Sequence, residues 1–362
     1  MIKLYGNHRI YSLLNNAFNT NSIASTYLFY GPKGVGKEAV AIKFASLVNN
    51  INEDKWLNAN NITYIHKTPA NKSTKKAEDF YDNFTNDVIE NIQEELQKKQ
   101  QNPYYKIDIA NASQIRIDTI RILRKKLSQS NHSGRRFVIV SDADAMNPAA
   151  ANSFLKTLEE PNTNTTIILI AENINSMLPT ILSRSQKLKF APLTTEEINE
   201  YLTDFYPELS LENRKIIASF AQGSVSNAID FIDQDIHQLV ESTIDILRAS
   251  LLGSNYRSLL VERIAEITKL RDKNLLITSL KLLQRWLQDA LHLKNGEDQL
   301  IVNINVIDSI RKFATYYDKA NYFQAFDCIE QAIVKVNRNV SPDLLLIDLF
   351  LKLRKVFLSA KS

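Results

Sequence analysis

Through the first half of the chain, short apolar runs alternate with stretches of helical period. Tyr27-Leu28-Phe29-Tyr30 reads as a strand, and Ala39 to Val48 follows with Val40, Phe44, Leu47 and Val48 on one helical face. Tyr105 to Ile109, Phe137 to Val140 and Thr166 to Ala171 are further strand candidates, the near-continuous apolar runs that suit a parallel sheet covered on both faces. This order predicts a doubly wound α/β domain over residues 1–191. Inside it, Asn49 to Gln101 is polar and rich in Asn and Lys. Its one periodic part, Phe80 to Gln100, spaces Phe84, Val88, Ile92 and Leu96 four apart, so residues 49–101 read as a surface insertion carrying one amphipathic helix.

From about Pro192 the strand pattern fades. Thr194 with Glu197 three residues on is a capping box, and Ser210 with Asn213 opens another helix, which predicts a small helical lid over residues 192–233. Residues 234–362 hold helix-period segments such as Leu275 to Leu293 and Ser341 to Leu358, the latter opening with Ser-Pro at N-cap and N1. No fixed-period repeat is present, and an all-helical C-terminal domain is expected. Leu344 to Leu353 is apolar nearly all round, so it lies either in that domain's core or against a neighbouring subunit.

Composition narrows the class. The 362 residues, 44% hydrophobic and 23% charged, suit two or three globular domains. No run approaches the roughly 18 to 20 apolar residues of a membrane span. Eight Gly and nine Pro fall under half of the roughly 12% that average usage gives, leaving much of the chain free to be helical. The single Cys328 can close no internal disulfide and build no multi-cysteine zinc site; with an N-terminus unlike a signal peptide, a cytoplasmic location is expected. The net charge of +4 is compatible with nucleic acid without pointing to it. His8, His66, His132, His237 and His292 are scattered, and no metal site is expected.

Three motifs carry chemistry. Gly31-Pro-Lys-Gly34-Val-Gly36-Lys37-Glu38 lies between a strand and a helix, the context in which glycines let backbone N–H groups close around phosphate. Its last position normally holds the hydroxyl that ligates Mg²⁺; Glu38 stands there instead, a carboxylate that would face the nucleotide's own charge. Phe137-Val-Ile-Val-Ser-Asp142-Ala143 is a strand ending in acid, a degenerate Walker B pattern, but the following residue has no group able to act as a base. Leu178 to Ser185 ends in Ser183-Arg184-Ser185, where an arginine by itself reads as a surface salt-bridge residue.

Together Tyr27 to Lys37, Asn152-Ser-Phe-Leu-Lys-Thr-Leu-Glu-Glu-Pro161 and Leu178 to Ser185 resemble the clamp-loader branch of the AAA+ ATPases, and within it the delta-prime family of bacterial DNA polymerase III. The resemblance covers the chain and implies an α/β AAA+ (P-loop NTPase-like) domain, a helical lid and a helical collar. It further implies a hetero-pentamer with motor (gamma/tau) and delta subunits that loads the sliding clamp onto primed DNA, as part of a DNA-directed DNA polymerase holoenzyme. Arg184 corresponds to the family's arginine finger, which acts in trans on the neighbouring motor's ATP; the Cys that usually follows is Ser185.

The departures from a motor agree with one another. Besides Glu38 and Ala143, the resemblance sets Ala171 where motors carry a polar sensor and Ser226 where they carry a lid arginine. No ATPase activity of its own is expected, no cofactor is required, and at most a non-hydrolysed or weakly bound nucleotide sits at Gly31, Gly34, Gly36 and Lys37. The four-cysteine zinc module of many relatives is absent, with residues 49–101 in its place. The alternatives are an active gamma/tau-like motor, opposed by these four positions, and a P-loop small-molecule kinase, which would need a hydroxyl at position 38. Finally, Arg121, Arg124 and Lys125 share one face of a helix over Asp118 to Ser128, which either meets a DNA backbone through phosphate alone or is simply solvated.

Overall fold

The computed structural model describes residues 2–70, 78–82, 84–129, 134–159, 164–232, 236–269, 273–303, 306–336 and 340–359. They divide into two compact units, residues 1–209 with 221–228 and residues 210–220 with 229–362. The stretch 192–233 is therefore shared between the two units.

The first unit is built on five parallel strands: β1 (Thr26–Tyr30), β2 (Ile62–Ile65), β3 (Arg136–Val140), β4 (Thr165–Ala171) and β5 (Gln186–Lys189), in the order β2-β3-β4-β1-β5. Around them lie α1 (His8–Asn19), α2 (Lys37–Val48), α3 (Asn86–Gln101), α4 (Ile117–Gln129), α5 (Pro148–Glu159), α6 (Pro179–Ser183) and α7 (Thr195–Phe205). Every residue of the central strand β4 is buried, as its unbroken apolar run requires. One sheet face packs Leu28, Val138, Val140, Ile167 and Leu169 against Ile120 and Leu123 of α4 and Ala151 and Phe154 of α5. On the other, Phe44 of α2 meets Tyr27 and Phe137 edge-on, with ring centroids 6.3 and 5.5 Å apart. This is the α/β architecture that the hydrophobic pattern predicts.

Two expectations are corrected. Tyr105 to Ile109 is irregular rather than a strand, because Glu95 accepts a hydrogen bond from Asp108 N at 2.7 Å and from the Tyr105 hydroxyl at 3.0 Å. The place beside β3 is taken by β2, so residues 49–101 are no mere surface insertion: they supply a sheet strand, the short helical turn Glu53–Asn58 and α3. Ile92 and Leu96 are the buried stripe of α3, whereas Phe84 and Val88 are only half-buried. Residues 71–77, His132 and the Glu160-Pro161 end of the second motif lie outside the described residues.

The capping box at Thr194 forms in full, with Thr194 Oγ1 accepting from Glu197 N at 3.2 Å and Glu197 Oε2 from Thr194 N at 2.8 Å. The boundary between the units falls within α9 (Val225–Ile232).

The second unit is all-helical: α8 (Leu211–Phe220), α10 (Ile236–Leu251), α11 (Tyr256–Thr268), α12 (Lys273–Asn295), α13 (Ile307–Tyr316), α14 (Tyr322–Val336) and α15 (Pro342–Leu358). Trp286, Phe313, Tyr317, Tyr322 and Phe357 form its aromatic centre, with neighbouring centroids 4.7 to 5.6 Å apart. The greasy run of α15 is mostly core, with Leu345, Leu346, Leu349, Phe350 and Leu353 buried and Leu344 67% exposed. Among the described residues no helix is long and apolar enough to cross a membrane.

Candidate functional site: the phosphate loop and Arg184

The strand order places β1 next to β4, and the loops leaving the C-terminal ends of β1, β3 and β4 meet there, the usual ligand edge of such a sheet. They enclose a cavity of about 350 Å³ lined by Gly34, Gly36, Lys37, Glu38, Asp142 and Ala171 among others. Two loop glycines are required by conformation. Gly34 (φ 70°) and Gly36 (φ 88°) are left-handed, and a Cβ on them would come within 2.4 Å of Ser224 Oγ and 2.8 Å of the Tyr104 ring. Gly31 is pressed on Phe190 O, which a Cβ would approach to 2.4 Å.

Lys37, the residue that reaches phosphate in a working loop, turns inward. Its Nζ donates to Gly31 O at 2.7 Å and Pro32 O at 2.5 Å, and it is 6% exposed. Burial lowers its pKa against the opposing pull of Glu172 and Glu38. Glu38 is engaged as well: one carboxylate oxygen takes the hydroxyl of Ser141 at the end of β3, the other the ammonium of Lys99 from α3. Lys99, 2% exposed, also donates to Tyr105 O at 2.6 Å.

On the β3 side, Asp142 is left-handed (φ 51°) and paired with Lys67 at 2.9 Å. Burial works to lower the Lys67 pKa, but the bond and charge of Asp142, with the charges of Glu172 and Asp144 added, together outweigh it and the net shift is upward. Asp144 accepts from Glu172 N and Asn173 N at 3.1 and 2.9 Å, tying the end of β3 to that of β4. Ala143 and Ala171 are 2% and 1% exposed and belong to the core beneath the site. Ser226 is 5% exposed, and its backbone N lies 2.6 Å from where a Gly34 Cβ would stand.

These residues do not fit a magnesium nucleotide. The carboxylate at the metal-ligand position is already neutralised by an ammonium, the loop lysine is spent on its own loop's carbonyls, and Ala143 offers no base. Sequence reasoning marked Glu38 as a departure and missed Lys99, since only folding brings α3 to the loop. A buried lysine at the register of the apolar Ile92 and Leu96 was the one available hint.

Arg184 does not line this cavity. It caps the C-terminus of α6, where its guanidinium donates to Thr180 O at 3.1 Å and pairs with Glu159 Oε1 at 3.0 Å, with the side chain 37% exposed. The basic face of α4 is less basic than the local sequence suggests. Arg121 pairs with Asp118 at 3.1 Å, and acids from a distant segment meet two lysines of α4: Glu78 lies 3.5 Å from Lys125 and Asp79 2.8 Å from Lys126. Arg124 is exposed on the same face.

Residues 6–194, more than half of the chain, match the family model described as DNA polymerase III, delta subunit. DNA polymerase III subunit delta' of Bacillus subtilis (strain 168) is 27% identical over 251 residues, 66% of this chain and 63% of its own. Subunit tau of the same organism is 27% identical over 277 residues, 74% of this chain and 43% of its own, so the match spans less than two thirds of either protein. Subunit delta' of Haemophilus influenzae (Rd) is 27% identical over 248 residues, 68% of this chain and 70% of its own. A crystal structure of a gamma subunit-related protein from Thermotoga maritima superposes on 95% of this chain and 99% of its own at a TM-score of 0.40 and 16% identity. The chain belongs to the delta-prime/clamp-loader family of DNA polymerase III.

Proposed function

We propose that this chain is the delta-prime-type ring subunit of a bacterial clamp loader. It does not hydrolyse ATP itself, and it places Arg184 in the ATP site of a neighbouring gamma/tau-like motor while the ring loads the sliding clamp onto primed DNA. The observation that carries this reading is the engagement of Glu38 by Lys99 and Ser141, which takes the residue at the metal-ligand position out of play. Arg184 supports it from outside the cavity, as a guanidinium held in place and still accessible. A fixed cation against charge developing on a transferred phosphoryl group is what a finger supplies.

The test is DNA- and clamp-stimulated ATP hydrolysis by a loader reconstituted from this chain, a delta subunit and a motor subunit. The isolated chain is expected to be inactive, and Arg184→Ala to slow the assembled loader without preventing assembly. Hydrolysis by the isolated chain together with an inert Arg184→Ala would instead assign an active gamma/tau-like motor.

A further inference from the structure

Helix α3 and the turn after it enter the phosphate-loop cavity from the stretch that stands apart in the sequence. Lys99 gives its ammonium to Glu38 at the first turn of α2. Five residues on, Tyr104 covers Gly36, where a Cβ would lie 2.8 Å from its ring, and its hydroxyl accepts from Tyr5 N at 2.8 Å. Glu95, itself 4% exposed, holds this turn in place through Asp108 N at 2.7 Å, the Tyr105 hydroxyl at 3.0 Å and Lys98 at 2.8 Å.

A phosphate loop followed by a helix N-terminus presents partial positive charge that favours an anion. Here the anion is supplied from within, by the Glu38 carboxylate in the first turn of α2. A carboxylate facing Ser141 and the acid-bearing end of β3 then needs a counter-charge, and Lys99 supplies it. An ammonium buried to this degree stands only with such a partner.

We propose that Lys99 and Tyr104 form a built-in wall of the nucleotide pocket that fills the metal position, with Lys99 taking the charge role of a divalent metal beside position 38 and Tyr104 covering Gly36. A magnesium nucleotide could enter only by stripping Lys99 from Glu38, which would leave a buried ammonium with a single carbonyl and set a carboxylate against phosphate. The metal position beside residue 38 is thus already taken, and the cavity that remains disfavours metal-bound nucleoside triphosphates. This goes beyond the ring-subunit reading and is independent of Arg184, because its test uses the isolated chain.

Fluorescent ATP with and without Mg²⁺ is titrated into the wild type and into Glu38→Thr/Lys99→Met, which restores the hydroxyl and removes the internal cation. The double variant is expected to bind at least about ten-fold more tightly than the wild type, and only with Mg²⁺. Equal affinity of the two proteins, or tight Mg²⁺-dependent binding by the wild type, overturns the proposal. Thermal melts guard against a variant that fails to fold. The wild-type melting temperature is expected not to move with Mg²⁺-ATP. Lys99→Met is expected to melt lower than wild type and to be partly rescued by adding Glu38→Gln. A nucleotide shift in the wild type, or additive effects of the two substitutions, also overturns it.

Discussion

Arg184 Nη2 lies 3.0 Å from Glu159 Oε1, so the last residue of α5 holds the residue that caps α6. This pair joins two of the three motifs that mark the family, and on the proposed reading Glu159 positions the guanidinium. Both partners are substantially exposed, so the pair itself is worth only about 0 to 1 kcal/mol of stability. Glu159→Ala is therefore expected to leave the melting temperature of the isolated chain nearly unchanged and to slow stimulated hydrolysis by the assembled loader less than Arg184→Ala does. An arginine finger is worth roughly a thousand-fold or more at the site it reaches, so Arg184→Ala should remove that one site's share of the total rate. Identical loader rates for wild type and Glu159→Ala would limit Glu159 to a surface contact.

The pH dependence of stability is expected to pass through His66. The ring is buried, with Nδ1 2.7 Å from Lys67 O and Nε2 3.2 Å from the Tyr81 hydroxyl. Burial lowers its pKa from the ordinary 6.5, with the Lys67 carbonyl, Glu38 and Asp142 pulling the other way. The unfolded chain then takes up the proton first as pH falls, so the contribution is intact above about 6.5 and is lost as pH drops toward the lower folded value. Melts from about pH 7.5 down to about pH 5.5 should show a steeper loss for wild type than for His66→Gln. Parallel curves would remove His66 from the account.

Gly34→Ala should destabilise the first unit by about 2 kcal/mol or more. The substitution adds left-handed strain at φ 70° and sets a Cβ 2.6 Å from Ser226 N, which is backbone and cannot swing aside. Gly253, with nothing within 4 Å of its added Cβ, is the control, and Gly253→Ala should be close to neutral. Chemical denaturation of both variants makes the comparison.

For the α4 face, Arg124→Glu with Lys125→Glu in the assembled loader is expected to weaken binding to primed DNA and to lower the salt slope by about two, roughly one for each phosphate no longer neutralised. Glu78 beside Lys125 already reduces the local positive charge. Unchanged affinity and slope would assign the face to solvent.

Much of the fold is legible along the chain because it is written in short-range periods. β1, β3 and β4 fall within a residue of their apolar runs, α15 opens at its Ser-Pro pair, α12 opens two residues before its periodic segment, and Thr194 forms its capping box. The edge of the sheet is not legible in this way. Ile62–Ile65 carries no charge whereas Tyr105 to Ile109 alternates apolar residues with Lys106 and Asp108, yet both have strand period, and which one pairs with β3 is decided by what else each must bond. Glu95 claims the second through Asp108 N and the Tyr105 hydroxyl.

The sequence by itself determined the α/β-then-all-α organisation, the phosphate loop with Glu38 at its end, and the motif that presents Arg184. The first two are readable from composition, period and spacing, whereas Arg184 stands out from a surface salt-bridge residue only through the resemblance to the clamp-loader family. Only the tertiary structure decided what satisfies those groups. It put Lys99 on Glu38 across 61 positions, Lys67 on Asp142 across 75 and Glu78 on Lys125 across 47. An ion pair needs proximity in space, and proximity between distant segments is a property of how the strands and helices pack.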